Sequence, residues 1–164
     1  MQGEARWIAD LFHQAYNGEP GSNSGWHGPA LRSLLRGVGW RQAARRPASH
    51  AHNILEIVLH IAIWDEVCVR RLSGEKIRMT TGSAGDWPAA SRPTPQRWMG
   101  AKRRLSRAQK ALILATGKLC DDDLDRKVAG WPWTYRLMLH GTLHHDLYHA
   151  GQIALIRREI ERSR

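Results

Sequence analysis

Cysteine is scarce. The chain has two, Cys68 and Cys120, far apart and without CxxC spacing. A disulfide framework or a thiolate zinc site needs more cysteines at closer, characteristic spacings, so both are excluded, and the two thiols are read as buried and free. Long apolar runs are missing too. None approaches the roughly 18 residues that suggest a membrane span, and the opening MQGEARWIADLF has no apolar signal core. No membrane partner and a soluble, cytoplasmic protein are expected.

Alternating β-type runs, internal repeats and low-complexity tracts are also absent, which leaves an all-helical reading. Acidic residues are few beside the basic ones, 15 against 25, for a formal charge of +10. Clustered cations supply the sequence-independent part of phosphate binding. Here RQAARR at 41 to 46, AKRR at 101 to 104 and RR at 157 to 158 are short and scattered. No helix-turn-helix, zinc-finger or aromatic RNA-binding pattern surrounds them, so they are read as solvated surface and no nucleic-acid partner is expected.

What is present is a chain of 164 residues, read over its whole length, 1–164, as a single domain. Gly and Pro divide it into helical blocks. A first helix is expected over 4 to 17, carrying Trp7, Ile8, Leu11, Phe12 and Ala15, and NGEPGSNSG then breaks it into a flexible loop. A short helix starts at Pro29 with Leu31, Leu34 and Leu35, and Trp40 to Pro47 follows as a connector. A long helix from about His50 to Leu72 has Ile54, Ile57, Val58, Ile61, Trp64, Cys68 and Leu72 on one stripe. Residues 73 to 93 form a long loop, 95 to 118 a helix closed by Gly117 before an acidic DDDLD loop, and 134 to 162 a final helix. Gly141 and Gly151 within that last helix suggest neighbours packed closely against it. Four long helices and a short extra one make an all-α, up-down four-helix bundle.

Histidine is abundant, with nine in the chain. His145 and His149 stand four residues apart, on one helical face one turn apart, as two ligands of one ion require. A helical wheel centres them on a stripe with Leu137, Met138, Tyr148, Ile156 and Ile160, which points the imidazoles inward. His140 and His144 share the spacing, but the wheel turns them to a flank, a polar edge. His60 lies beside the stripe of the second long helix; there it is either structural or the third ligand that would close a site between helices. Glu56 and His52 continue its edge at four-residue steps, so Glu56 is either an exposed edge residue or a group that orients a ligand or acts as a base.

HNILEIVLHIAIWDEVCVRRLSG followed by HGTLHHDLYHAGQIALIRR resembles the DinB/YfiT-like superfamily of metal-dependent enzymes, and the GDWP loop, the helix with Trp98, the LCDDDLD turn and the closing GQIALIRR come in the same order. The resemblance implies a four-helix bundle, often a homodimer, that holds a zinc or nickel ion with His60, His145 and His149. It gives His50, His52, His140 and His144 no ligand role. It also implies either a hydrolase or a thiol-dependent S-transferase that uses a low-molecular-weight thiol, acting on a small-molecule substrate.

Three neutral imidazoles leave coordination positions open on a divalent ion, as catalytic zinc sites do, so that a bound water or thiol could be activated. Tyr148 and Gln152 are polar groups on the same helix as the His145–His149 pair. Trp64, Trp87, Trp131 and Trp133 either line a pocket or pack the core and a dimer contact. The alternative is a non-catalytic bundle stapled by a four-ligand metal, with a basic surface for an acidic partner or nucleic acid.

Overall fold

The computed structural model describes residues 3–47, 52–88 and 92–162. Four long helices, α1 (Glu4–Asn17), α4 (Ile54–Leu72), α5 (Pro95–Thr116) and α6 (Tyr135–Arg162), form the bundle, with short helices α2 (Leu31–Leu34) and α3 (Trp40–Ala44) between the first two. α1 and α4 each pack against α5 and α6, which leaves α1 opposite α4 and α5 opposite α6. The histidine-bearing helices α4 and α6 are therefore direct neighbours.

Each long helix starts where the chain offers a cap. Asn53 accepts from Glu56 N at 2.9 Å and Glu56 Oε2 accepts from Asn53 N at 3.1 Å, a reciprocal capping box that starts α4. The expected start at His50 lies outside the described residues. Thr94 accepts from Arg97 N at 3.1 Å ahead of Pro95 at the first turn of α5. The first turn of α1 is capped from afar, by Asp121 accepting from Ala5 N at 3.0 Å. Asp121 sits in Asp121–Asp125, where the expected acidic loop is a turn of 3-10 helix.

Other expectations need correction. Trp40–Ala44 is a helix rather than a connector, because Gln42 Oε1 accepts from Gly39 N at 2.9 Å and caps it. Within the expected loop after α1, Ser24–Gly25 pairs with Gly28–Pro29 as a two-stranded ribbon, so α2 starts only at Leu31. Trp7 stands 53% exposed while Ile8 and Phe12 are fully buried. Gly141 and Gly151 have open space, with nothing within 4 Å of where a Cβ would lie. They belong to an uncovered stripe of α6 with Leu137, His144, Tyr148 and Leu155, on which Leu137 and Tyr148 point outward rather than to the core.

The core is divided in two. One cluster joins α4 residues 54–62, the first half of α5 and the end of α6; the other joins α1, Cys68, Leu112 and the start of α6. Between them lies a buried polar layer made by Asp65, Gln109 and Asp146, with Gln109 Nε2 donating to both carboxylates at 2.9 and 2.6 Å. Burial, then the Asp146 charge, push Asp65 well above the ordinary carboxylate range, which disfavours its charged form.

Cys68 is buried as expected, but Cys120 is exposed. Burial pushes the Cys68 thiol up to about 12, and only a thiolate attacks an alkylating reagent. Iodoacetamide at neutral pH is therefore expected to label the folded protein once, at Cys120, as read by peptide mass spectrometry; labelling of Cys68 at a similar rate would contradict this packing.

Candidate metal centre

His60 on α4 and His145 and His149 on α6 come together, each offering a nitrogen, with the three atoms within 4.8 Å of one another. His60 and His149 are 4% exposed. Outward partners fix two of the rings. His60 Nδ1 donates to the Asp86 carbonyl at 2.7 Å, and His149 Nδ1 donates to Gln152 Oε1 at 2.7 Å, while Gln152 Nε2 donates to the Tyr148 hydroxyl at 3.0 Å. Both Nε2 lone pairs are thereby turned inward.

The residues fit a divalent ion. His60 Nε2 and His145 Nε2 stand 2.9 Å apart, facing each other. Two nitrogens bound tetrahedrally to one zinc would be separated by about 3.3 Å, given zinc–nitrogen bonds of about 2.0 Å. His145 Nδ1 is buried without a hydrogen-bond partner and lies 3.5 Å from Asp146 Oδ1. A small ring rotation would pair them, completing the carboxylate–histidine arrangement that commonly supports a bound metal.

Asp86 organises this arrangement and could not be singled out from spacing. It is 1% exposed, and its carboxylate accepts from Trp64 Nε1 at 2.8 Å and from Gly82 N at 2.7 Å. The next residue, Trp87, lies flat between two imidazoles, with ring centroids 3.5 Å from His52 and 3.8 Å from His60. The signal that could have found Asp86 is an acid embedded in a Gly- and Pro-rich loop beside Trp87.

A cavity of about 640 Å³ opens beside the histidines. Trp64, Trp87 and Trp133 line it, whereas Trp131 stacks behind Trp133 with centroids 4.4 Å apart. His52, Tyr148 and Gln152 also reach it, and Glu56 does not. The Glu56 carboxylate is held by Arg46 at 2.6 and 2.7 Å and lies 3.5 Å from His52 Nδ1. His140 lies 3.8 Å from Glu4, and His144 is exposed on α6. Among the described residues no fourth His, Cys, Asp or Glu joins the cluster, and His50 lies outside them.

The family model of the DinB superfamily matches residues 26–153. The chain belongs to the DinB superfamily. No match is found among the curated proteins or the solved structures. The all-α bundle and the three-histidine cluster agree with that membership, and the cluster forms a possible metal site. No described helix is long and apolar enough to cross a membrane.

Burial lowers His149 to about 4 and also lowers His60, so both are neutral at pH 7, the form that ligates. In the unfolded chain His149 takes up its proton near 6.5. Between those values the folded state binds fewer protons than the unfolded, so this group removes stability as pH falls. Asp65, raised by burial, acts with the opposite sign. The metal-free wild type is therefore expected to lose melting temperature relative to His149→Gln between pH 6.5 and 4; a constant difference between the two would contradict a buried, neutral His149.

Proposed function

We propose that this DinB-superfamily protein is a metal-dependent, thiol-using S-transferase acting on a small molecule, with a zinc or nickel ion held by His60, His145 and His149. The observation that carries this reading is the convergence of three inward-turned imidazole nitrogens beside an aromatic-walled cavity. Bound there, a divalent ion would lower the pKa of a thiol or water that reaches it.

The choice of thiol over water rests on the wall. Its described residues include no carboxylate, and the segments outside the description contain no Asp or Glu. Water attack gains most from a general base held close to it, whereas a thiol already near its ionisation range needs less help. Among the described residues, the histidine at the cavity outside the three ligands is His52. With its Nδ1 turned to Glu56, its Nε2 is the atom left to take a proton, and Glu56 acts as a positioning residue behind it. The same pair supports the second reading, a hydrolase with His52 as base. An open cavity beside three ligands argues against a purely structural, closed four-ligand staple.

Two measurements test this. Protein purified without a polyhistidine tag should hold near one zinc or nickel per chain by mass spectrometry, and His60→Ala, His145→Ala and His149→Ala should each lose it while remaining helical; full metal content in those variants would sink the ligand set. The loaded protein should then accelerate attack of a small thiol on chlorodinitrobenzene, in which the thiol loses its proton, sulfur bonds to carbon and chloride leaves. Ester hydrolysis without thiol-dependent transfer would select the hydrolase reading.

The homodimer is also proposed, through the uncovered stripe of α6, since Leu137, Gly141, His144, Tyr148, Gly151 and Leu155 recur at alternating steps of four and three, the spacing of a helix-pairing seam. Sedimentation should give twice the chain mass, and Leu155→Arg should shift it to monomer. A monomeric wild type would exclude this contact.

A further inference from the structure

The cavity beside the histidines has a second charged group that the proposed reaction leaves unused. Arg71, on the last turn of α4, shares the face of His60 and Trp64 and lines the same cavity. It follows His60 by three helical turns, about 16 Å along the axis at 1.5 Å per residue.

Arg71 is 4% exposed. Its Nη2 donates to the carbonyls of Ile77 at 3.0 Å and Met79 at 2.8 Å, and its guanidinium lies 5.0 Å from the centre of the Trp131 ring. Its Nε is buried with no hydrogen-bond partner, and no ion pair joins Arg71 to an Asp or Glu among the described residues. A buried cation without a counter-charge is costly, since carbonyl dipoles and a ring face replace only part of its lost hydration. Burial does lower its pKa, but from a starting value of 12.5, so it remains charged at neutral pH. The wall it shares offers no carboxylate.

We infer that the cavity takes an extended ligand whose carboxylate pairs with Arg71 while its reacting end lies at the three histidines. A carboxylate matches the planar donor fork of a guanidinium and supplies the missing counter-charge. The separation along α4 selects a long molecule over a two-carbon one. The position of the reacting end rests on the function proposed above; the carboxylate contact does not.

The probes are the mercaptoalkanoates from mercaptoacetate to mercaptoundecanoate, each compared with the mercaptoalcohol of the same length. Binding is followed by quenching of tryptophan fluorescence in metal-loaded and metal-free protein. Long carboxylates are expected to bind about tenfold or more tightly than their alcohols, the ratio expected of one charge-assisted contact. Arg71→Gln should remove that ratio while leaving the alcohols' affinity unchanged, and Arg71→Lys should restore part of it.

Equal affinities in the wild type would overturn the inference, as would a preference that survives in Arg71→Gln or an absence of binding by any probe. The wild-type comparison stands even if Arg71→Gln fails to fold. A carboxylate preference in metal-free protein with no gain from the thiol on metal loading would sink the proposed reaction and leave the Arg71 contact standing. In turnover, the reactant whose KM rises in Arg71→Gln, thiol or electrophile, is the one that carries the carboxylate.

Discussion

The contact on which the site depends is the burial of Asp86 against α4. Its carbonyl fixes the tautomer of His60, and its carboxylate takes the Trp64 indole and the Gly82 amide. One residue thus ties the loop after α4 back onto that helix and aims the one histidine that α4 adds to the cluster. Trp87 follows it in sequence and is thereby laid between His52 and His60. A buried carboxylate is stable there because donors surround it, and each would lose its partner if the loop lifted. The loop is therefore part of the histidine cluster rather than a cover over it.

The second constraint is the polar layer that splits the core. Asp65, Gln109 and Asp146 interrupt apolar stripes on three helices, and each leaves one oxygen unpartnered. Such atoms cost roughly 1 to 3 kcal/mol apiece against a well-paired interior. A bundle selected for stability alone would fill this layer with leucine. Its position beside His145 accounts for it: Asp146 faces the one imidazole whose outer nitrogen lacks a partner, and burial beside Asp146 disfavours a second negative charge on Asp65. Stability is given up beside the three-histidine cluster.

These arrangements differ in how far the sequence discloses them. The limits of α1, α5 and α6 were legible because Gly, Pro and capping residues act locally, unlike those of the short α2 and α3, and the His145–His149 pair because four residues is one turn of one helix. His60 was ambiguous by spacing and was selected by family resemblance, since its partners arrive from α6, 85 residues away. Asp86 and the polar layer were missed for the same reason, being defined by contacts between segments distant in sequence, and Arg71 was missed because an arginine near a helix end gives no sign that Trp131 and the following loop bury it. The misplacement of Leu137 and Tyr148 has another cause. α6 carries apolar residues on two faces, one to the core and one outward, and a wheel averages them into a single stripe.

The division of labour in the cavity bears on how this fold varies. The three clustered imidazoles stand on α4 and α6, whose apolar faces pack into the bundle core. Trp87 belongs with the Asp86 segment that holds His60, while the rest of the wall draws on loops, through Thr81 and Trp133, and on the end of α4, through Arg71. Loop segments tolerate substitution and insertion far better than packed helices do. A three-histidine centre can thus stay fixed while the wall changes, so family membership constrains the activating chemistry more tightly than it constrains the ligand. Selectivity in this chain should accordingly be sought in Arg71, about three turns of α4 beyond His60, and in Trp133 across the cavity.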